Sequence, residues 1–187
     1  EGLDATKDPA ISNAAIFCAT SSADFLHGLT REEYNKQTID ANRSWKPCTN
    51  NSGVWMYQTN YEDYLIPTDT FNYQENYKHC LDFGAKWIFD QGQQDNKNGT
   101  GFNNLKLYLN SKLQWNVNLD VNELINNYFN AVYGPAADEM FNYFIAQRAH
   151  MQTLPPSDIE ENMTTIENFP YNVVFQWLNL VDNAYAA

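Results

Sequence analysis

The stretch AKWIFDQG, Ala85 to Gly92, decides how the chain is read. It is a short apolar run held between two glycines, too brief for a helix and rich in residues that suit a strand. Just before it, Phe71 to Phe83 reads as a helix, and Gly84 sits where a left-handed residue would close it. Further upstream, Ser52-Gly53 reads as a turn and Val54 to Thr59 as a strand. The run AAIFCAT, Ala14 to Thr20, reads as a fully buried strand. Between these two, Thr30-Arg31-Glu32-Glu33 has the form of a capping box and opens a helix to about Trp45. The order strand, helix, strand, helix, strand predicts βαβ units and a parallel sheet.

Downstream the pattern changes to helix after helix. Leu105, Tyr108, Leu109 and Lys112 open one at helical spacing. Asp120-x-x-Glu123 caps the next, whose stripe is Val121, Leu124, Ile125, Tyr128, Phe129 and Val132. Gly134-Pro135 stops it, and Ala137, Met140, Phe141, Phe144 and Ile145 repeat the pattern as far as Pro155-Pro156. Ser157-x-x-Glu160 starts a short segment, and the stretch after Pro170 reads as a last helix. The division expected is three parallel strands with helices, a partial βα barrel, over residues 1–101 and a helical C-terminal region over 102–187.

Composition narrows the function. With 187 residues and 43% hydrophobic content, the chain can bury a sizeable core. A net charge of −12 argues against nucleic acid and against an anionic membrane surface, both of which need a positive footprint. No apolar run reaches the length of a membrane span, and no signal peptide is evident; the opening EGLDATKDPA looks like the middle of something or a processed start. Cys18, Cys48 and Cys80 are an odd number without zinc spacing, so neither a fully paired disulfide framework, nor a metal site, nor a cofactor is expected. The 12 Tyr and 5 Trp offer flat apolar faces with polar handles, which suit a neutral, semi-polar ligand or an aromatic-rich core.

Three parallel strands are too few to close a barrel of eight. The pattern leaves open a small α/β domain with a helical cap, or the C-terminal part of a larger barrel.

The run from Leu105 to Phe144 resembles the helical segment that closes a large bacterial family, a domain of unknown function placed among glycoside-hydrolase-like TIM barrels. That family is similar to α-glucuronidases and β-hexosaminidases. The matching residues are Tyr108-Leu109, Lys112-Leu113, Trp115-Asn116, Asp120-Val121, Tyr128-Phe129 and Tyr133-Gly134-Pro135-Ala136-Ala137. Upstream, Trp55-Met56-Tyr57 with Asn60-Tyr61, and GAKWIFDQG, resemble the family's last barrel strands. The resemblance implies an α/β fold made of the last three parallel βα units of a glycoside-hydrolase-like (β/α)8 barrel, followed by the helical region. It also implies a bacterial protein that is extracellular, at the cell surface or periplasmic. The first five strands are lacking, and the family's acid catalysts could lie there.

In such a barrel the active face lies at the C-terminal ends of the strands. The run GVWMYQTNYEDY, Gly53 to Tyr64, then places Tyr57, Gln58, Asn60, Tyr61, Glu62, Asp63 and Tyr64 at a sugar cleft. Tyrosine stacks on a pyranose, while Asn and Gln serve hydroxyls as donor and acceptor. Asp90 and Gln91 end the third strand, and His27 with Asp24 follows the first. Asp90 is the carboxylate best placed for chemistry or for holding a hydroxyl. It shares strand parity with Lys86 and Ile88, against Trp87 and Phe89, and parity alone does not say which set faces inward. Tyr57, Asn60, Tyr61, His27, Asp90 and Gln91 are therefore the substrate-binding candidates. Trp115 and Trp177 fit helix packing better than ligand stacking.

The leading expectation is a carbohydrate-active fragment of a glycoside-hydrolase-like barrel, acting on or binding a glycan or oligosaccharide. Hydrolysis would need two carboxylates flanking the scissile bond. The competing expectation is a non-catalytic glycan-binding or protein-interaction module. In either case the open sheet edge calls for a partner: the remainder of a larger barrel, or another chain.

Overall fold

The computed structural model describes residues 15–58, 69–91, 102–156 and 163–187. Three strands, β1 (Ile16–Ala19), β2 (Ser52–Met56) and β3 (Ala85–Asp90), form one parallel sheet in the order β1-β2-β3. The register pairs Phe17 with Gly53 and Gly53 with Trp87; Ala19 pairs with Trp55, and Trp55 with Phe89. The alternation read from the sequence is therefore present. Residues 52–53 are part of β2 rather than a turn before it. Gly53 is in the strand because the rings of Phe17 and Trp87 close over it, and a Cβ there would collide with both.

Helix α1 (Glu32–Trp45) links β1 to β2, and α2 (Tyr73–Phe83) links β2 to β3. Thr30 does not cap α1: its hydroxyl reaches Glu75 instead, at 3.5 Å, and Arg31 occupies the cap position without a side-chain bond. Asp69 supplies the start of the next element by accepting from Phe71 N–H, so the helix expected from Phe71 begins as a 3-10 turn and becomes α-helical at Tyr73. Gly84, at φ 96°, closes α2 in the left-handed conformation expected of it.

Spatial order equals chain order, and parallel crossovers are right-handed, so both crossover helices fall on the same face of the sheet. That face presents Val54 and Met56 of β2 to Tyr73, Tyr77, Cys80 and Phe83 of α2. Cys80 Sγ lies 3.6 Å from Met56 Sδ. Ile88 packs against the same cluster.

The helical half follows as α3 (Asn103–Trp115), α4 (Val121–Tyr133), α5 (Ala137–Met151) and α6 (Tyr171–Ala186). Asp120 caps α4 as its sequence pattern indicates, accepting from Asn122 N–H and Glu123 N–H. Leu105, Leu109 and Leu113 of α3, Leu124, Ile125 and Phe129 of α4, and Phe144 of α5 complete the cluster that includes β2 and α2. One core thus draws on both sides of residue 101. A second cluster joins Leu26, from the loop after β1, to Met151, Leu154, Met163, Phe169 and Trp177. Trp177 is core, as expected, but Trp115 is 92% exposed at the end of α3 and packs no helix. Tyr128 is only half-buried and Val132 is exposed, because Phe129 takes the central position of the stripe among Phe102, Phe141 and Phe144. The segment expected to start at Ser157-x-x-Glu160 lies outside the described residues.

The opposite face of the sheet is without a helix among the described residues. Strand alternation gives it Phe17, Trp55, Trp87 and Phe89, and β2 runs on into Tyr57. Phe17, Trp87 and Phe89 are 43%, 42% and 48% exposed.

Candidate functional site

The loops that leave the C-terminal ends of the strands begin from a shared backbone frame. Thr20 N–H and its hydroxyl both donate to Trp55 O, and Gln91 N–H donates to Met56 O. Beyond these points the two faces of the sheet carry different chemistry.

The uncovered face ends in an aromatic platform. Trp55 and Tyr57 stack with centroids 5.7 Å apart and 16° between planes, and Phe89 meets Trp55 edge-on at 4.9 Å. The Trp55 indole N–H donates to Gln91 Oε1 at 3.0 Å, which fixes the indole in its plane. Such a platform offers flat apolar area with an amide beside it.

The covered face ends in a buried polar network. Asp90 faces the helices with Val54, Met56 and Ile88, which resolves the parity that the sequence left open. Its Oδ2 accepts hydrogen bonds from Tyr77 O–H and Gln58 N–H. Asn110 Oδ1 is 2.8 Å from the Tyr77 oxygen, Gln114 donates to that oxygen at 3.2 Å, and Asn76 donates to Gln58 Oε1 at 3.1 Å. Although Asp90 as a residue is only half-buried, its Oδ1 is enclosed without a partner. Burial pushes the carboxyl up to about 6, while the bonds from Tyr77 and Gln58 pull the other way. Burial and then the Asp90 charge raise Tyr77 well above the usual phenol range. One turn before Asn110 on α3, Lys106 is enclosed with an unpartnered Nζ, and burial lowers its ammonium to about 7.

The loop after β1 forms a third group. His27 Nδ1 lies 3.2 and 3.1 Å from the two Asp24 carboxylate oxygens, and His27 N–H donates to Asp24 Oδ1 at 2.8 Å. The imidazole stacks on Tyr34 at 4.0 Å. Asp69, at the far end of the connection after β2, donates its N–H to Phe25 O. Its carboxylate is gripped by Arg148 of α5 at 2.8–2.9 Å, and that guanidinium lies over the Phe71 ring.

Tyr57 and Gln91 thus meet on one face. Asp90 lies on the other, tied to Gln58, and His27 belongs to the β1 loop. Asn60 and Tyr61, with Glu62, Asp63 and Tyr64, lie outside the described residues. Sequence reasoning missed Tyr77, Asn76, Asn110 and Gln114. The signal for the last two was present: Lys106, Asn110 and Gln114 recur every fourth residue along α3, a polar stripe beside the leucine stripe.

Among the described residues no three His, Cys, Asp or Glu side chains come together in a way that could hold a metal ion. None of the described helices is long and apolar enough to cross a membrane.

No curated protein and no solved structure matches the chain. One family model does match, over residues 5–146, more than half of the sequence and inclusive of the sheet, the aromatic platform and the polar network. The chain therefore belongs to the family described as a domain of unknown function (DUF4838).

Proposed function

We propose that the chain forms the last three βα units of a glycoside-hydrolase-like (β/α)8 barrel and contributes to a glycan site at its strand mouths. The observation that carries this is the asymmetry of the sheet. Helices cover one face, while the other bears Phe17, Trp55, Trp87 and Phe89 and ends in the Trp55–Tyr57–Gln91 platform. An aromatic face of this size is costly to leave in water. In a closed barrel it would become the filled interior, with its C-terminal edge as the floor of the site. On this reading the remaining strands, from the rest of a larger chain or from another chain, pair with the free edges of β1 and β3. The protein would be an extracellular, cell-surface or periplasmic bacterial one, as the resemblance implies.

A specific observation favours binding over hydrolysis by these residues. The described carboxylates at this edge, Asp24, Asp69 and Asp90, are all engaged by protein groups: His27, Arg148, and the Tyr77–Gln58 pair. None stands beside the platform as a free acid, and a glycosidase needs two carboxylates across the bond.

The test is a glycan array followed by calorimetry on the protein that carries this chain. Trp55→Ala and Tyr57→Ala should each weaken binding of the best glycan at least tenfold. Trp115→Ala, at an exposed tryptophan on α3, should leave it unchanged. Absence of binding across the array, or equal affinity in all three variants, refutes the proposal.

A further inference from the structure

The loop after β1 is held by more bonds than its shape requires, and the surplus falls on one ring. Asn35 breaks the helical geometry of α1, at φ −121° and ψ 16°, and is fully buried beneath the loop. Its Oδ1 accepts from Asp24 N–H at 2.8 Å, and its Nδ2 donates to Asp24 O at 2.7 Å and Gly28 O at 2.9 Å. Leu29 N–H donates to Asn76 Oδ1 at 2.8 Å. These contacts fix the backbone from Asp24 to Leu29 without the imidazole. The contact between the Asp24 carboxylate and His27 Nδ1 therefore fixes the ring itself, and Tyr34 covers one of its faces.

A carboxylate only accepts, so Nδ1 carries the hydrogen, and in the neutral ring Nε2 holds a lone pair. In the other two described histidines Nε2 is not free in this way. His79 Nε2 is enclosed without a partner, and His150 Nε2 is 2.6 Å from Asn168 O. His27 is 8% exposed, its Nδ1 is taken and one face is stacked, and among the described residues Nε2 is the ring nitrogen without a partner.

We infer that Asp24 and His27 form a preorganised hydrogen-bonding subsite whose Nε2 accepts from a hydroxyl of a neutral polyhydroxylated ligand. Asp24 is the positioning residue, which sets the tautomer and orientation. The adjacent Asp24 charge and the net charge of −12 disfavour an anionic ligand here. The inference rests on the glycan reading for its ligand, but not for the state of the ring.

The experiment has three arms on the protein that carries this chain. Diethylpyrocarbonate followed by peptide mass mapping should modify His27, and the array's best glycan should slow that modification at least fivefold. Nitrogen-15 imidazole spectra should show His27 as the Nδ1–H tautomer. His27→Asn keeps a donor where Nδ1 stands but removes Nε2; it should bind that glycan at least tenfold more weakly at an unchanged melting temperature. Modification of His27 that the glycan does not slow, an Nε2–H tautomer, or undiminished affinity in His27→Asn overturns the subsite. Absence of any glycan binding by the wild-type protein, with His27 still in the Nδ1–H tautomer, overturns the ligand and the glycan reading together.

Discussion

Replacing Asp90 by Asn should make the protein more stable at neutral pH and weaker by about 1–2 kcal/mol in acid. The carboxyl is raised from 3.8 to about 6, chiefly by burial. Between those values the folded protein holds a proton that the unfolded chain has released. Stability contributed by the group is thus full below about pH 4, falls through the window, and is lost above about pH 6. Two pH units at 1.36 kcal/mol each give a penalty of about 3 kcal/mol at pH 7. The amide removes the titration and keeps one oxygen to accept from Tyr77 and Gln58. It also puts an N–H where Oδ1 stands enclosed and unpartnered, at a cost of about 1–2 kcal/mol. The net expectation is a gain of about 1–2 kcal/mol at pH 7. The difference between variant and wild type should shift by about 3 kcal/mol between pH 4 and pH 7. Urea denaturation of both proteins at pH 4, 5, 6 and 7 measures this directly, because the other carboxyls titrate alike in both and cancel. A difference that does not vary with pH would show that Asp90 titrates alike in the folded and unfolded chain, and would refute the reasoning.

Lys106 gives the opposite sign. Its ammonium is lowered from 10.5 to about 7, so the unfolded chain binds more protons between those values and wild-type stability rises with pH through them. Lys106→Met should stabilise the protein by roughly 3–4 kcal/mol at pH 7, with the gap narrowing toward pH 10; thermal denaturation at the two pH values checks it. Leu124→Ala, in the core stripe of α4, should cost about 2–5 kcal/mol in urea denaturation, and a loss under about 0.5 kcal/mol would remove the stripe from the core.

How far the sequence could be read depended on how local each decision was. The strand at Ala85–Asp90, the left-handed Gly84 and the Asp120 cap are settled by a few neighbouring residues, and all three are present. Thr30 is not the cap: the helix opens one residue later, at Arg31, and the Thr30 hydroxyl meets Glu75, 45 positions away. Ser52 and Gly53 look like a turn in isolation; only the rings of Phe17 and Trp87, from two other strands, explain a glycine there. The face of Asp90 could not be read either. Lys86, Ile88 and Asp90 mix polar and apolar residues, yet it is the wholly aromatic pair, Trp87 and Phe89, that lies on the face without helices. The polar network was the least legible feature, since Gln58, Asn76, Tyr77, Asn110 and Asp90 come from four separate elements and none forms a motif with another.

Asn76 stands midway along a line of side chains that begins at the amide of Leu29 and ends at the carboxylate of Asp90. Leu29 belongs to no strand or helix, yet its amide is fully enclosed and its acceptor is a side chain on α2. To release that hydrogen to solvent, the β1 loop must separate from α2, whose other contacts reach both β2 and β3. Opening of this loop is therefore coupled to opening of the whole strand-end edge, and hydrogen exchange at Leu29 should be as slow as in β2, an unusual kinetic signature for a loop amide.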